Sequence, residues 1–209
     1  MTATSRSAAA SDGRPPSSPD QLYARRPPWD IGRPQAAFRQ LADAGKIQGR
    51  ILDVGCGTGE HVLMAASLGL DATGVDLAET ALRAAEEKAR ARELTAEFRQ
   101  HDARRLGDLG RTFDTVLDCG LFHIFGADDR AAFAQSLRAA VAPGGRYFML
   151  CFSDRETGDD WSHVHRVRRN EIVAAFAEGW RIDAIEPAAI EIVPDPDGIR
   201  AWLSALTRI

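Results

Sequence analysis

The sequence predicts an α/β protein built on a doubly wound, mostly parallel sheet of seven strands, and three observations predict it. Apolar runs at Ile51-Leu52-Asp53, Asp71 to Asp76 and Thr112 to Asp118 each reach a carboxylate, helical periodicities separate them, and a glycine-rich break follows the first. Short apolar runs bounded by turn residues read as buried strands, and strands alternating with helices form parallel sheets. In such sheets ligands settle beyond the carboxyl ends of the strands.

From the start of the chain, Met1 to about Pro19 is rich in Ala, Ser and Pro and has no large apolar residues after Met1. Such a segment cannot bury enough surface to offset its ordering entropy, so a disordered tail is expected over 1–19. It lacks the apolar core of a signal peptide, which points to the cytoplasm. Tyr23 to Gln35 concentrates aromatics, arginines and prolines, and reads either as a ligand lid or as a surface segment pinned by Trp29. Pro34 can open a helix through about Gly45. Residues 20–48 are therefore expected to form a lid and helix, and 49–209 one domain.

The 209 residues, 44% hydrophobic with a net charge of −4, suit a single core. No broad basic face suggests a nucleic-acid partner, and no stretch is long and apolar enough to span a bilayer. Oligomeric state is left open. Cys56, Cys119 and Cys151 lie in or beside apolar strands and read as reduced packing residues.

The first strand runs into Asp53-Val54-Gly55-Cys56-Gly57-Thr58-Gly59-Glu60, and helical spacing resumes at His61 to Leu68. The dinucleotide fingerprint requires a further glycine three positions after its second, a place held here by Glu60. A carboxylate there opposes a diphosphate on the helix N-terminus, so a cationic or zwitterionic nucleoside fits better. S-adenosylmethionine is such a ligand. The second strand ends at Asp76, about 20 residues past the glycine turn, where an acidic side chain can accept a ribose diol or, alternatively, cap the next helix. Ala78 to Arg92 is an amphipathic packing helix. A third strand at Ala96 to Gln100 leads to His101-Asp102-Ala103, and the fourth ends at Asp118 before Cys119-Gly120-Leu121-Phe122-His123.

Asp128 can cap a helix to about Val141, and Pro143-Gly144-Gly145 turns into a fifth strand, Arg146 to Phe152. Ser153 to Arg166 is a polar loop in which His163 and His165 lie among aspartates, a spacing too loose to predict a metal site. A helix at Arg169 to Glu178, a strand at Trp180 to Glu186, a hairpin partner at Ala189 to Val193 and a last helix at Asp197 to Arg208 complete the reading.

The stretch Asp53 to Gly59, with acidic residues at the ends of the following strands and a Pro-Gly-Gly turn before the fifth, resembles the class I S-adenosylmethionine-dependent methyltransferases. Trp29-Asp30-Ile31-Gly32-Arg33-Pro34, Asp118 to His123 and Cys151-Phe152-Ser153-Asp154 further resemble the thiopurine methyltransferase-like and bacterial heterocyclic-toxin group, except that Ser162 to Arg166 replaces a Gly-Pro-Arg turn. The resemblance implies a Rossmann-like sheet with Trp29 over the sulfonium and Arg33 on the donor's carboxylate. It further implies a donor site made of Asp53, Gly55, Cys56, Gly57, Thr58, Gly59, Leu77 and Cys119, with Asp76 at the ribose, Asp102 and Ala103 at adenine, Asp118 facing the ammonium chiefly through its backbone carbonyl, and Gly120 leaving room for the methyl. His123 is the candidate base, or else a histidine that orients its loop. Phe122, Phe152 and Trp161 are candidate acceptor walls. The implied reaction is methyl transfer to oxygen or nitrogen of a small phenolic or heteroaromatic, quinolone-like compound. A thiol S-methyltransferase and a non-catalytic S-adenosylmethionine-binding regulator are the alternatives.

Overall fold

A computed structural model describes residues 18–158, 161 and 164–209. Most of the expected tail, together with Asp159, Asp160 and His163 of the polar loop, lies outside the described residues.

The strands are β1 (Arg50–Val54), β2 (Asp71–Asp76), β3 (Glu97–Gln100), β4 (Phe113–Cys119), β5 (Val141–Phe152), β6 (Trp180–Ile192) and β7 (Asp195–Arg208). The helices are α1 (Ala36–Asp43), α2 (Glu60–Ser67), α3 (Glu79–Ala91), α4 (Ala127–Ala140) and α5 (Arg169–Ala175). Short 3-10 turns occupy Pro19–Tyr23, Ala103–Leu109 and Phe122–Ile124. One seven-stranded sheet has the order β3-β2-β1-β4-β5-β7-β6, in which only β7 runs antiparallel to its neighbours.

Continuous apolar strands follow from covering both sheet faces, because successive side chains point to opposite sides. Leu52, Val116, Tyr147 and Met149 enter one core with Phe133 and Phe176. Their neighbours Ile51, Leu117, Phe148 and Leu150 enter the other, with Phe38 and Val62. The order of strands reverses between β1 and β4, and the crevice at such a switch point is the standard ligand position of an open α/β sheet.

The C-terminal segment corrects the expected helix over Asp197 to Arg208. It is strand β7, inserted between β5 and β6, pairing Phe148 with Ala205 on one side and Ile182 with Leu206 on the other. A strand enclosed on both edges and both faces carries no polar alternation, so Ile199-Arg200-Ala201-Trp202-Leu203 reads as helix although tertiary pairing makes it strand. The two short strands expected at Trp180 to Glu186 and Ala189 to Val193 are one, β6, which continues through Pro187 because an edge strand tolerates the missing donor. The hairpin turns at Val193 and Pro194, and Gly198 serves the register irregularity just beyond it: its φ is +71°, and a Cβ there would lie 2.5 Å from the Ile190 carbonyl oxygen.

Candidate functional site

Three carboxylates gather at the ends of adjacent parallel strands. Val54 of β1 stands beside Val75 of β2 and Asp118 of β4, so Asp53, Asp76 and Asp118 share one rim of the sheet. Asp53 is 1% exposed, and neither of its carboxylate oxygens has a hydrogen-bond partner. Its nearest cation-forming neighbour is His61, whose Nδ1 is 3.5 Å from Oδ2; His61 Nε2 accepts from the Gln35 amide at 3.2 Å. A buried carboxylate without partners is costly, and a ligand cation is the group that relieves it.

Asp76 is better supplied, with Oδ2 accepting from the Gly57 amide and Oδ1 from the Ala78 amide, each at 2.8 Å. Asp76 thus ties the start of α3, as the capping alternative expects, while closing the glycine turn. Burial raises its carboxyl, and the charge of Asp53 adds to that. Asp118 is fully buried; Oδ1 accepts from the Leu121 amide at 2.9 Å and Oδ2 from the Tyr147 hydroxyl at 2.7 Å. Burial pushes Asp118 up to about 7 against those hydrogen bonds, with Asp53 again contributing. The rim is thus short of positive charge.

The glycine turn fits this rim by sterics. Gly59 has φ +84°, and a Cβ there would lie 2.7 Å from that of Ala85 and 2.9 Å from the Phe98 ring. Only glycine lets α2 start that close to α3 and β3. At Gly57 a Cβ would sit 2.8 Å from the Tyr23 hydroxyl, so Tyr23 lies directly over the turn. The Trp29 indole bonds to that hydroxyl, while burial and the nearby Asp76 raise the phenol's pKa. Tyr23 was not among the sequence candidates; its signal was its aromatic ring within the irregular Tyr23 to Gln35 segment.

Glu60 does not act as the sequence suggested. Its carboxylate is bonded to Lys88 Nζ at 2.9 Å and to both terminal nitrogens of Arg92 at 2.9 and 3.0 Å. Burial raises its pKa, but the Arg92 and Lys88 bonds outweigh it and leave it lowered. The negative charge facing a ligand comes from the strand ends instead. Lys88, unmarked in a charged helix face, also reaches the Thr58 hydroxyl at 2.7 Å and lies 4.0 Å from Asp30.

Several expected contacts are occupied otherwise. Arg33, expected on the donor's carboxylate, instead forms a two-pronged ion pair with Glu191 of β6 at 2.8 and 2.9 Å. Glu191 also accepts from the Ala36 amide at 3.0 Å, and its backbone exchanges bonds with the Gln35 side chain at 3.1 and 2.8 Å. Asp102 caps the following 3-10 turn and is gripped by Arg104, whose hydrogen bonds lower its carboxyl. Ala103 is buried, and its carbonyl accepts from Ser136 at 2.7 Å. Leu77 is exposed, and Cys119 is partly exposed beside Gly120.

Two further expectations are corrected. Phe122 is 0% exposed and packs against Phe176 at 5.7 Å, inside the core and not along an acceptor wall. His123 is 7% exposed and its Nδ1 accepts from the Phe152 amide at 3.1 Å, which leaves the proton of the neutral ring on Nε2. Burial and the neighbouring Arg130 lower it to about 3. Of the two readings of His123, base or loop-orienting histidine, this geometry matches the second: a buried ring that binds β5 through Nδ1 and keeps its proton on Nε2. Phe152 stacks on His123 at 4.3 Å and meets Trp161 edge-on at 5.8 Å. Next to this group opens a cleft of about 470 Å³ lined by His123, Phe125, Arg130, Val164, His165 and Glu171 among others. No group of three or more metal-ligating side chains occurs among the described residues, nor a helix long and apolar enough to cross a membrane.

The chain belongs to the class I S-adenosylmethionine-dependent methyltransferases. A family profile described as "Methyltransferase domain" matches residues 51–145. A relative from Mycobacteroides abscessus, 2-heptyl-1-hydroxyquinolin-4(1H)-one methyltransferase, is 36% identical over 174 residues, covering 83% of this chain and 76% of that protein. Probable thiol methyltransferase 2 of Arabidopsis thaliana is 29% identical over 60% of this chain and 56% of its own length. A structure solved in work on the conversion of a disulfide bond into a thioacetal group during echinomycin biosynthesis superposes with a TM-score of 0.83 at 38% identity, covering 90% of this chain and 91% of that one. The protein is an enzyme with S-adenosylmethionine as methyl donor, which sets the regulatory alternative aside.

Proposed function

We propose that the chain transfers the methyl group to oxygen or nitrogen of a small phenolic or heteroaromatic acceptor of quinolone-like shape. The single observation that carries the donor half is the Asp53 carboxylate, buried and without a hydrogen-bond partner at the switch point of the sheet. The ammonium of an amino-acid-bearing nucleoside is the complement of that group. When bound, S-adenosylmethionine supplies an electrophilic methyl on a sulfonium. In this reading Asp53 and the Asp118 carbonyl face the ammonium, Gly55, Cys56, Gly57, Thr58 and Gly59 leave room for the amino-acid moiety, and Asp76 with Leu77 takes the ribose. Asp102 and Ala103 border adenine, and Cys119 and Gly120 border the methyl. Trp29 and Tyr23 cover the donor, with residues 20–48 as the lid of the domain that follows.

The acceptor half rests on the cleft beside His123 and on the likeness to a hydroxyquinolinone methyltransferase. Trp161, backed edge-on by the buried Phe152 ring, offers apolar surface to a planar ring. A thiol acceptor is the second reading, favoured by the likeness to the structure from the disulfide-to-thioacetal work and to a probable thiol methyltransferase. Offering a hydroxyquinoline and an aromatic thiol together with S-adenosylmethionine, and weighing the products by mass spectrometry, tests both. O- or N-methylation in excess supports the first reading; preferential S-methylation replaces it with the second; no product from any small aromatic acceptor contradicts both.

A further inference from the structure

The cleft beside His123 presents hydrogen-bond donors where a base was expected. His123 carries its proton on Nε2, on the side of Gly120, where a Cβ would lie 3.8 Å from that nitrogen. Arg130 of α4 is 7% exposed, its guanidinium lies 5.1 Å from the Phe122 ring centre, and its Nη1 donates to Glu171 at 2.8 Å. Its Nε is buried and has no hydrogen-bond partner. Arg130 lines the cleft, and a guanidinium has more donors than the Nη1 that Glu171 engages, so it can receive an incoming anion there.

The acidic neighbour is already engaged. Glu171 Oε1 is shared between Arg130 and His165 Nε2, each at 2.8 Å, while Oε2 accepts from the Arg168 amide at 2.9 Å. Burial raises the Glu171 carboxyl, but those bonds outweigh it and hold it lowered. On the sheet side, Asp118 is sealed beneath Tyr147 and the Leu121 amide. The charged and titratable groups around His123 are thus Arg130 from α4, Glu171 from α5, His165 from the preceding loop and Asp118 from β4.

We propose that this cleft selects its acceptor as an oxyanion, held by His123 Nε2–H and the Arg130 guanidinium. The inference rests on the small-molecule acceptor reading above and adds the ionisation state that the site selects. The electron pair for the new carbon–oxygen bond is then already present on the acceptor. The carbon–sulfur bond breaks with its pair remaining on sulfur, and the transfer step releases no proton. Arg130 is the specificity residue, placed by Glu171.

The test uses 4-nitrophenol, whose anion alone is yellow, titrated with the full-length protein saturated with S-adenosylhomocysteine. The bound probe is expected to ionise at lower pH than in solution, by about one pH unit, the equivalent of a tenfold preference for the anion. Arg130→Met removes that shift and weakens binding of the anion about 10- to 100-fold, whereas Arg130→Lys retains part of it. Unchanged S-adenosylhomocysteine affinity in both variants confirms that they fold. A probe bound as the colourless phenol, an unshifted ionisation, no binding, or an intact shift in Arg130→Met overturns the proposal. Failure of the acceptor reading looks different: the anion still binds with its shift, yet no methylated product forms from any ionisable aromatic acceptor.

Discussion

The two sides of the site are opposite in electrical character. The rim formed by β1, β2 and β4 holds Asp76 and Asp118, each raised by burial and by the charge of Asp53, beside Asp53 itself, whose buried oxygens have no hydrogen-bond partner. A few residues along the chain, the cleft between His123 and α5 holds a buried guanidinium with an unused donor and an imidazole whose protonated nitrogen is Nε2. In the proposed reading, one sheet edge brings a cationic donor and an electron-rich acceptor together. The polar atoms left without partners, the Asp53 oxygens and Arg130 Nε, lie one on each side of the site.

The strongest challenge to that contrast is Asp53→Ala. Losing the unpaired carboxylate should weaken S-adenosylhomocysteine binding by about 10- to 100-fold while leaving thermal stability unchanged or higher, because no hydrogen bond in the fold is lost. Calorimetric titration and a melting curve measure the two effects; a protein destabilised with donor affinity intact would make Asp53 a purely structural residue. Gly59→Ala should act through the fold instead, costing about 2–3 kcal/mol, because the residue sits at φ +84° and the new methyl meets Ala85 and Phe98. Denaturant unfolding reads that loss.

Tyr147→Phe sharpens the comparison through pH. Asp118 lies at about 7 in the fold against an ordinary value of 3.8, so its favourable contribution to folding is complete below 3.8 and is lost as pH rises through 7. His123 behaves oppositely: lowered from 6.5 to about 3, it favours folding above 6.5 and loses that contribution as pH falls toward 3. A bound ammonium favours the Asp118 carboxylate, so affinity for S-adenosylhomocysteine should rise between about pH 6 and 8. Removing the Tyr147 hydroxyl leaves the carboxylate one donor fewer, which should move that rise to higher pH and cost about 1 kcal/mol of stability. Titrations at several pH values check this, and a pH-independent affinity would detach Asp118 from the donor. The smallest effect belongs to Arg33→Ala, which removes a half-exposed ion pair with Glu191; stability should fall by about 0–1 kcal/mol with donor affinity nearly unchanged. A large loss of affinity would return Arg33 to the donor's carboxylate.

The carboxylate rim was legible in the sequence because it is local. Strand, glycine turn and helix lie within Arg50 to Ser67, and each later acidic residue closes its own apolar run. The acceptor side was not, because its determinants are tertiary. Nothing at His123 announces that the Phe152 amide, 29 residues away, will occupy its Nδ1, and nothing at Arg130 announces Glu171, 41 residues on. Tyr147 could have been found, since a phenol in the run Phe148-Met149-Leu150 needs a buried partner. The chain's end failed for a related reason: β7 owes its form to the strands on both sides of it, and its own composition favours a helix.

In the proposed donor site the Asp53 carboxylate, with no hydrogen-bond partner, recognises the donor's ammonium. This recognition is tested most directly by comparing, calorimetrically and on the unaltered protein, the binding of S-adenosylhomocysteine with that of its desamino analogue. Loss of the amino group should weaken binding by at least about tenfold, with the difference largely abolished in Asp53→Ala. Equal affinities for the two ligands would contradict it.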